Sequence, residues 1–514
     1  MRSEKLFRPF IRPMFNSHCG GIRLDEVSLM KRIGALLLCG ILLLPAAGAS
    51  GTPWPAWAAE ALAWGREKSV SRAFLASPGQ RLTRGAVARL LYESAGQPAA
   101  HEECPFSDVS EKDAAAVGWA AGQGYLTGVG DGTYEPGRPV TRQEFAAILW
   151  RQAGTPEVPV QGLERFGDAG TVSEWARDAV LWCQQAGVMA GRSGDKLAPE
   201  DTITTAEALV MLERAAGLPD VGQLRDDLEI LAAHHRPVGS QGEADAVRYL
   251  RDRFEEMGYS VTLQPYTDGQ GRTGHNVAAV KAASVPDADI LVLSAHHDSV
   301  PTAYGANDNA SGVAALLYTA EALRNVPTDT EVRFLSFTDE ENGKNGSRTY
   351  TASLTEEERT RIVGAIQFDM LGGLGSTGTL VCTVDGEANW VSDLLQKKNP
   401  GLESGVETAS DHTSFQLSGI PAVLLMQRGR GYLYHSAADT AEQLDLYAIA
   451  AAADSAAAAA EEICSADTPS YRALAREQGE RGAYRQTRQN MIYFGSSRAD
   501  TEAYIGAAGA RRRQ

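Results

Sequence analysis

Ile290-Leu291-Val292-Leu293-Ser294 runs directly into Ala295-His296-His297-Asp298-Ser299, so a stretch of strand character delivers two imidazoles and a carboxylate at its end. The arrangement recurs twice downstream. Val332 to Phe337 is followed by Thr338-Asp339-Glu340-Glu341-Asn342-Gly343, and Val363 to Phe368 ends on Asp369-Met370. Further apolar runs at Asn276 to Val280, Thr379 to Val384 and Pro421 to Met426 read as strands. Helical periodicity separates or flanks them, at Leu224 to Ala233, Glu243 to Met257, Ala310 to Leu323, Asn389 to Lys397 and Leu444 to Ile463. This alternation predicts an α/β domain, a mostly parallel mixed sheet sandwiched by helices. Ligands of such folds gather at the carboxyl ends of strands, and here three strands bring acid and imidazole to one rim.

Two more motifs belong to the same set: Gly305-Ala306-Asn307-Asp308-Asn309-Ala310-Ser311-Gly312 and Tyr434-His435-Ser436-Ala437-Ala438-Asp439-Thr440. Most Asp and Glu are merely solvated, but these sit at strand ends together with histidine. Imidazole and carboxylate suit zinc, and a two-metal site needs one bridging carboxylate plus about two terminal ligands per ion. His297 follows His296 on an extended segment, so the two rings point opposite ways and cannot easily share an ion.

The order His-x-Asp, Gly-x-Asn-Asp-x-x-Ser-Gly, Glu-Glu, Phe-Asp-Met and a late Tyr-His resembles the co-catalytic two-zinc aminopeptidases, metallopeptidase family twenty-eight, over about residues 220–465. Arg236-Pro237-x-Gly239-Ser240 and Gly343-x-x-Gly346-Ser347 match as well. The resemblance implies two zinc ions bridged by Asp308, with His296 and Asp369 completing one and Glu341 and His435 the other. It implies Glu340 as the general base on a metal-bridging hydroxide, Asp298 behind the other ring nitrogen of His296, and Tyr434 as a donor to the oxyanion. Met370 would line the primary specificity pocket. The implied reaction is removal of N-terminal residues from peptides. The same fold and site also serve carboxypeptidases and glutaminyl cyclases, and no pocket residue separates them. An inert domain would keep crowded carboxylates for no gain, since like charges repel. Asp411-His412 before Phe415 resembles a family motif at the edge of the site, with its role left open.

Ahead of this domain a layout recurs at a period of about 60 residues. One copy carries Phe106-Ser107-Asp108, Trp119, Gly124, Pro136 and Thr141-Arg142-Gln143-Glu144; the next carries Phe166-Gly167-Asp168, Trp175, Gly187, Pro199 and Thr204-Thr205-Ala206-Glu207. Twelve residues separate Gly from Pro and five separate Pro from Thr in both copies. The Thr with Glu three positions on is a capping box. Helix pairs this small must pack on one another. The pattern resembles S-layer homology repeats, here an all-α array of three at about 53–98, 104–155 and 164–217. That resemblance implies attachment to a secondary cell-wall polymer, the Thr-Arg-Ala-Glu Arg helping to grip its anionic sugar. The first copy keeps Thr83-Arg84 without the Glu, and the third has Thr205 in place of Arg, which Thr cannot replace. Wall affinity is therefore in question while the array still folds.

Bulk properties frame these modules. The 514 residues carry a formal charge of −17 and 43% hydrophobic residues, a globular composition that excludes a general nucleic-acid surface. Lys31-Arg32, the apolar run Ile33 to Leu44 and Ala47-Gly48-Ala49 read as a signal peptide, too short to span a bilayer in the mature chain. Residues 1–49 are thus a leader, with Met30 as the true start or the preceding residues as a long basic region. The expected layout is the leader, repeats over 50–218, a zinc peptidase domain over 219–466 and an Arg-rich tail over 467–514, either a disordered arm or a helix on the acidic body. The protein is expected to be exported and attached to the cell wall or cell surface. Cys104 with Cys183 and Cys382 with Cys464 are the economical disulfide pairings; no Cys-x-x-Cys suggests a structural zinc.

Overall fold

A computed structural model describes residues 53–99, 103–156, 158, 162–192, 195–429, 431, 433–465 and 469–493; the leader and the terminal arginines lie outside them. The front module is built from α1 (Ala59–Glu67), α2 (Arg84–Ser94), α3 (Glu111–Gly122), α4 (Arg142–Gln152), α5 (Arg177–Gln185) and α6 (Thr205–Ala216). Thr141 and Thr204 cap α4 and α6, and Glu144 and Glu207 close the capping boxes. Thr83 caps α2 without a box, because Ala86 stands in the acidic position.

The three copies close a ring with pseudo-three-fold symmetry. Leu82 N donates to Ile203 O at 3.0 Å, Ile203 N to Val140 O at 2.9 Å and Val140 N to Leu82 O at 3.0 Å. All three residues are buried, so each backbone donor is satisfied by the next copy. The first copy, which lacks the acidic motif residue, is a full member of the ring. The motif arginines act as clasps between copies: Arg84 donates to Thr127 O and Tyr134 O, and Arg142 to Ala190 O and Leu197 O. Thr205 stands in the third position and donates to Gln80 O at 3.2 Å. The Phe-x-Asp acids clamp turns, Asp108 accepting from Tyr134 N and Glu135 N and Asp168 from Leu197 N and Ala198 N. One correspondence is corrected: Trp182, not Trp175, takes the place of Trp119, five residues before the turn glycine in each copy. Trp175 lies exposed in a 3-10 turn.

The second module holds one eight-stranded sheet: β1 (Ser260–Thr267), β2 (Thr273–Lys281), β3 (Ile290–His296), β4 (Glu331–Phe337), β5 (Ile362–Phe368), β6 (Thr379–Thr383), β7 (Glu403–Val406) and β8 (Ala422–Gln427). Their order is β1-β2-β4-β3-β5-β8-β6-β7. β3 pairs in parallel with β4 and β5, β5 with β8 and β6 with β7; the other three pairings are antiparallel. This is the mixed sheet the sequence predicts. β1 and β7 were not anticipated, because Gln264-Pro265 breaks the apolar pattern of the first and the second is four mostly exposed residues. β3, β5 and β8 are buried along their whole length, as near-continuous aliphatic runs require. Alternate residues enter different cores: Leu291 and Leu293 join the cluster under α8 (Ser311–Leu323) and α10 (Leu446–Cys464), while Ile290 and Val292 join one with Phe337 and Phe415. Before the sheet, α7 (Gln241–Glu256) packs on β2, and α9 (His412–Leu417) lies between β7 and β8.

Residues from Trp54 onward form one compact unit. The modules meet where Trp182 Nε1 donates to Tyr447 OH at 3.1 Å, at the start of α10. The tail, left open by the sequence, forms the helix α11 (Arg472–Tyr493) against the sheet domain. The expected disulfides are absent: all four described cysteines are free. Cys382 packs with Leu424 and Met426 and Cys464 in the large core cluster, so the guessed pair occupies separate cores. Cys183 is buried beside Ala146 O, whereas Cys104 is only partly covered.

The clasp geometry predicts a large stability cost for Arg142→Ala, since it strands the buried carbonyl of Leu197, removes the bond to Ala190 O and breaks an ion pair with Glu207 at 3.1 Å. Urea unfolding should show a loss of about 3 kcal/mol, against under about 1 kcal/mol for the more exposed Arg138→Ala.

Candidate metal centre

Five side chains converge at the carboxyl ends of the central strands. His296 closes β3 and is buried; Asp369 follows β5; Glu341 follows β4; His435 comes from the loop after β8. Asp308 lies in the irregular turn leading into α8, which Gly305 enters with φ +63°. A Cβ on Gly305 would sit 2.3 Å from Asp308 O, so only glycine admits this path.

Asp308 is shared. His296 Nε2 lies 3.3 Å from Asp308 Oδ1 and 3.4 Å from Asp369 Oδ1, while His435 Nε2 lies 3.2 Å from Asp308 Oδ2 and 3.0 Å from Glu341 Oε2. His296, Asp308 and Asp369 thus offer one set of donor atoms and Asp308, Glu341 and His435 another, each within 4.8 Å. Among the described residues, His296 Nδ1 and Nε2, Asp369 Oδ1, Glu341 Oε1 and His435 Nε2 are buried atoms without a hydrogen-bond partner. Buried polar atoms are ordinarily satisfied, so the unpaired His296 Nε2, Asp369 Oδ1, Glu341 Oε1 and His435 Nε2 gathered around Asp308 fit bound metal, while His296 Nδ1 faces Asp298.

The electrostatics agree. Burial pushes the Glu341 carboxyl up to about 8, with the Asp308 charge adding to the effect. Burial also raises Glu340 well above the carboxylate range; the imidazole of His296 opposes this while the Asp411, Asp369 and Asp298 carboxylates reinforce it. For Asp308, burial is outweighed by the two histidines, which hold it below its ordinary value. So many carboxyl groups this close demand a countercharge beyond two imidazoles.

Supporting side chains fix these groups. Asp298 Oδ1 lies 3.4 Å from His296 Nδ1, and the same carboxylate accepts from Glu340 N at 3.0 Å and Glu341 N at 3.2 Å. One acid therefore orients both an imidazole and the Glu340-Glu341 backbone. Glu340 lines the cleft with Asp308, Asp369, Met370 and Tyr434, and the Tyr434 ring stacks on His435 at 3.7 Å between centroids. Asp339, Met370 and His435 all hold positive φ near 55°, each within two residues of a converging side chain, and non-glycine residues rarely adopt this unless the surroundings over-determine it. His297 turns away as expected, with Nδ1 2.9 Å from Ser336 Oγ and Nε2 3.7 Å from Glu243 Oε1.

Three partners were missed by sequence reasoning. Asp439 accepts from Asn307 N at 2.7 Å and Asp308 N at 3.2 Å, holding the shared turn; it stands in the Tyr434 to Thr440 motif, so its position was quoted without its role. Ser410 Oγ donates to Asp369 Oδ2 at 2.6 Å, and nothing in its local sequence signals this. Arg236 is buried and donates to the carbonyls of His297, Tyr304 and Gly305, bracing the loops around His296 and Asp308.

Residues 276–460 match Peptidase family M28, and residues 105–146 and 165–209 match the S-layer homology domain. The chain therefore contains an M28 domain preceded by S-layer homology repeats. Aminopeptidase YwaD of Bacillus subtilis (strain 168) is 35% identical over 169 residues, 31% of this chain and 36% of the relative. Leupeptin-inactivating enzyme 1 of Streptomyces exfoliatus is 32% identical over 209 residues, 38% of this chain and 45% of the relative. The chain thus spans less than half the length of these relatives. Among solved structures it resembles an aminopeptidase from Aneurinibacillus sp. strain AM-1 (TM-score 0.46, 25% identity, 48% of this chain and 94% of that one). It likewise resembles the zinc aminopeptidase BSAP from Bacillus subtilis (TM-score 0.47, 18% identity, 50% and 98%).

Removing divalent cations with a chelator should lower the midpoint of thermal unfolding, and added zinc should restore it, because binding to the folded state alone stabilises it by mass action. Asp439→Asn, which loosens the turn holding Asp308, should weaken zinc affinity by about 10- to 100-fold in competition with a chromophoric chelator.

Proposed function

From an M28 domain joined to S-layer homology repeats, we propose an exported, wall-associated two-zinc aminopeptidase that removes N-terminal residues from peptides. The observation that carries the reading is the pair of donor sets sharing Asp308, with unpartnered buried atoms aimed at both. His296, Asp308 and Asp369 would hold one zinc, and Asp308, Glu341 and His435 the other. The ions, when bound, polarise the scissile carbonyl and acidify the attacking water. Glu340 takes the proton from that water and passes it to the leaving amine; burial, reinforced by the neighbouring carboxylates, raises its proton affinity above that of an ordinary carboxyl, the direction a proton shuttle needs. Asp298 keeps the ring of His296 in register, and Tyr434, beside His435 on the cleft, donates to the oxygen that gains charge in the tetrahedral state. The proposed layout places the leader at 1–49, repeats at 50–218, the peptidase domain at 219–466 and the tail at 467–514.

Attachment to the cell surface is supported by the groove between the second and third repeats. It encloses about 310 Å³ and is lined by Arg142, Arg192 and Arg214 with Trp57 at its edge. Arg142 is committed to the clasp, so the accessible cations are Arg192, which also pairs with Glu207 and Asp201, and the exposed Arg214. An anionic, pyruvylated wall polymer suits guanidinium and an exposed indole, since sugars stack on aromatic faces and carboxylates pair with Arg. Among the described residues no helix is long and apolar enough to cross a membrane.

The enzymatic reading is tested with zinc-loaded protein on matched free and N-acetylated peptides, with Glu340→Gln as control. Amino-acid release from the free-amine peptides only, lost by at least about 100-fold in the control, is the expected result. Release from the carboxyl end, or pyroglutamate formation from N-terminal Gln, would replace the aminopeptidase by a carboxypeptidase or cyclase on the same metals. The attachment reading is tested by sedimenting the full chain with purified wall: the double variant Arg192→Ala, Arg214→Ala should release most of the bound protein, and equal retention sinks the groove as the contact.

A further inference from the structure

The C-terminal helix α11 lies beyond the residues matched to the M28 family, yet it is seated as a built part of the domain. At its start Asp289, immediately before β3, accepts from Tyr471 N at 2.9 Å, Ser470 Oγ at 3.0 Å and Arg472 Nε at 2.7 Å. Arg472 also reaches Asp287 Oδ2 at 3.1 Å. The Tyr471 ring stacks on Trp390 with centroids 4.7 Å apart and planes 3° from parallel, and Gln478 Oε1 accepts from Trp390 N at 2.9 Å. Next the helix presses on α9. Gln416 Nε2 donates to Gly479 O at 3.4 Å. A Cβ on Gly479 would stand 1.9 Å from Gly419 O, a backbone atom that cannot swing aside, so the two main chains touch.

α9 is a six-residue helix whose N-terminal lead-in is Ser410-Asp411. Ser410 Oγ is the donor to Asp369 Oδ2, and Asp411, wholly buried, accepts from Gln367 Nε2 at 3.4 Å on β5. A helix this short has little stability of its own; its position comes from what it packs against. One side meets Ser347 through Ser414, with the hydroxyls 2.8 Å apart. The end remote from the metal donors meets α11. The tail therefore closes the clamp that keeps Ser410 on Asp369.

We propose that α11 is a strap for the metal centre: by fixing α9 it positions Ser410, which orients Asp369 as a donor, so that retention of the cation on the His296 side depends on a helix outside the M28 match. Ser410 here is a positioning residue. The inference rests on the metal reading for Asp369, but its structural half, the coupling of α11 to residues 410–417, stands without any metal.

Gly479→Ala is the sharp variant. Alanine is the better helix former, so α11 keeps its own helicity while its seat against Gly419 is lost. A chain ending at residue 469 removes the strap outright, and Glu480→Ala, on an exposed side chain of the same helix, is the control. Hydrogen exchange on the metal-free proteins should show faster exchange across 410–417 in both altered chains and no change in the control. Zinc competition with a chromophoric chelator should show affinity weakened by about tenfold or more, with Ser410→Ala reproducing the loss. Unchanged exchange at 410–417 in a folded Gly479→Ala protein overturns the strap. Faster exchange with wild-type zinc affinity overturns the link to Asp369. Failure of the unaltered protein to retain zinc would instead sink the metal reading, with hydrogen exchange still deciding whether α11 holds α9.

Discussion

Asp308 is the residue on which the rest of this domain turns. One carboxylate faces an imidazole on each side, 3.3 Å from His296 and 3.2 Å from His435, from inside the protein. Such a group has no acceptable solvation except through partners of opposite charge. The chain supplies two imidazoles and then adds Asp369, Glu341 and Glu340 nearby, which makes the deficit of positive charge worse. That imbalance is the physical signature of a cation site, and it explains why the elements around it are so heavily braced. Arg236 ties three loop carbonyls together, Asp439 grips the turn before α8, and Asp298 grips the backbone after β4. Each brace holds in place a group that repulsion would otherwise disperse.

The same logic separates two kinds of polar residue in the repeats. Arg84 and Arg142 match the motif implied to grip an anionic sugar, yet their guanidinium groups are spent on carbonyls of the neighbouring copy. Their role in this chain is to close the ring. Substitution of the third motif Arg by Thr205 leaves that ring intact, because a threonine hydroxyl and backbone amide reach Gln80 O at the corresponding junction. Accessible positive charge lies instead on Arg192 and Arg214, outside the motif. Loss of a motif residue is therefore a poor measure of loss of function in an array whose motif is largely structural.

Much of the site was legible because its residues come in short runs tied to strand ends. A strand of aliphatic residues followed by His-x-Asp, Glu-Glu or Asp-Met can be recognised from order alone, and all five residues taken as metal donors fall into the two converging sets. What escaped were groups whose partners are distant along the chain. Ser410 lies 41 residues from Asp369 and Asp439 lies 131 from Asp308. Disulfide pairing failed for the same reason, since sharing a domain places Cys382 and Cys464 no closer than the two cores they occupy. Order along the chain sets Trp175 against Trp119, as the first Trp after each Phe motif, although distance to the turn glycine, which fixes the helix end, selects Trp182.

The sequence by itself determined the two modules, the strand-helix alternation, the capping of the repeat helices and the identity of the converging side chains, because each of these depends on neighbours a few residues apart. Only the tertiary structure decided the pseudo-three-fold ring, the edge strands β1 and β7, the seating of α11 and the braces on Asp308 and Asp369. Those depend on which surfaces meet after folding: an edge strand of mixed character is ordered by the strand beside it, and a glycine such as Gly479 reveals its purpose only when another backbone is found against it.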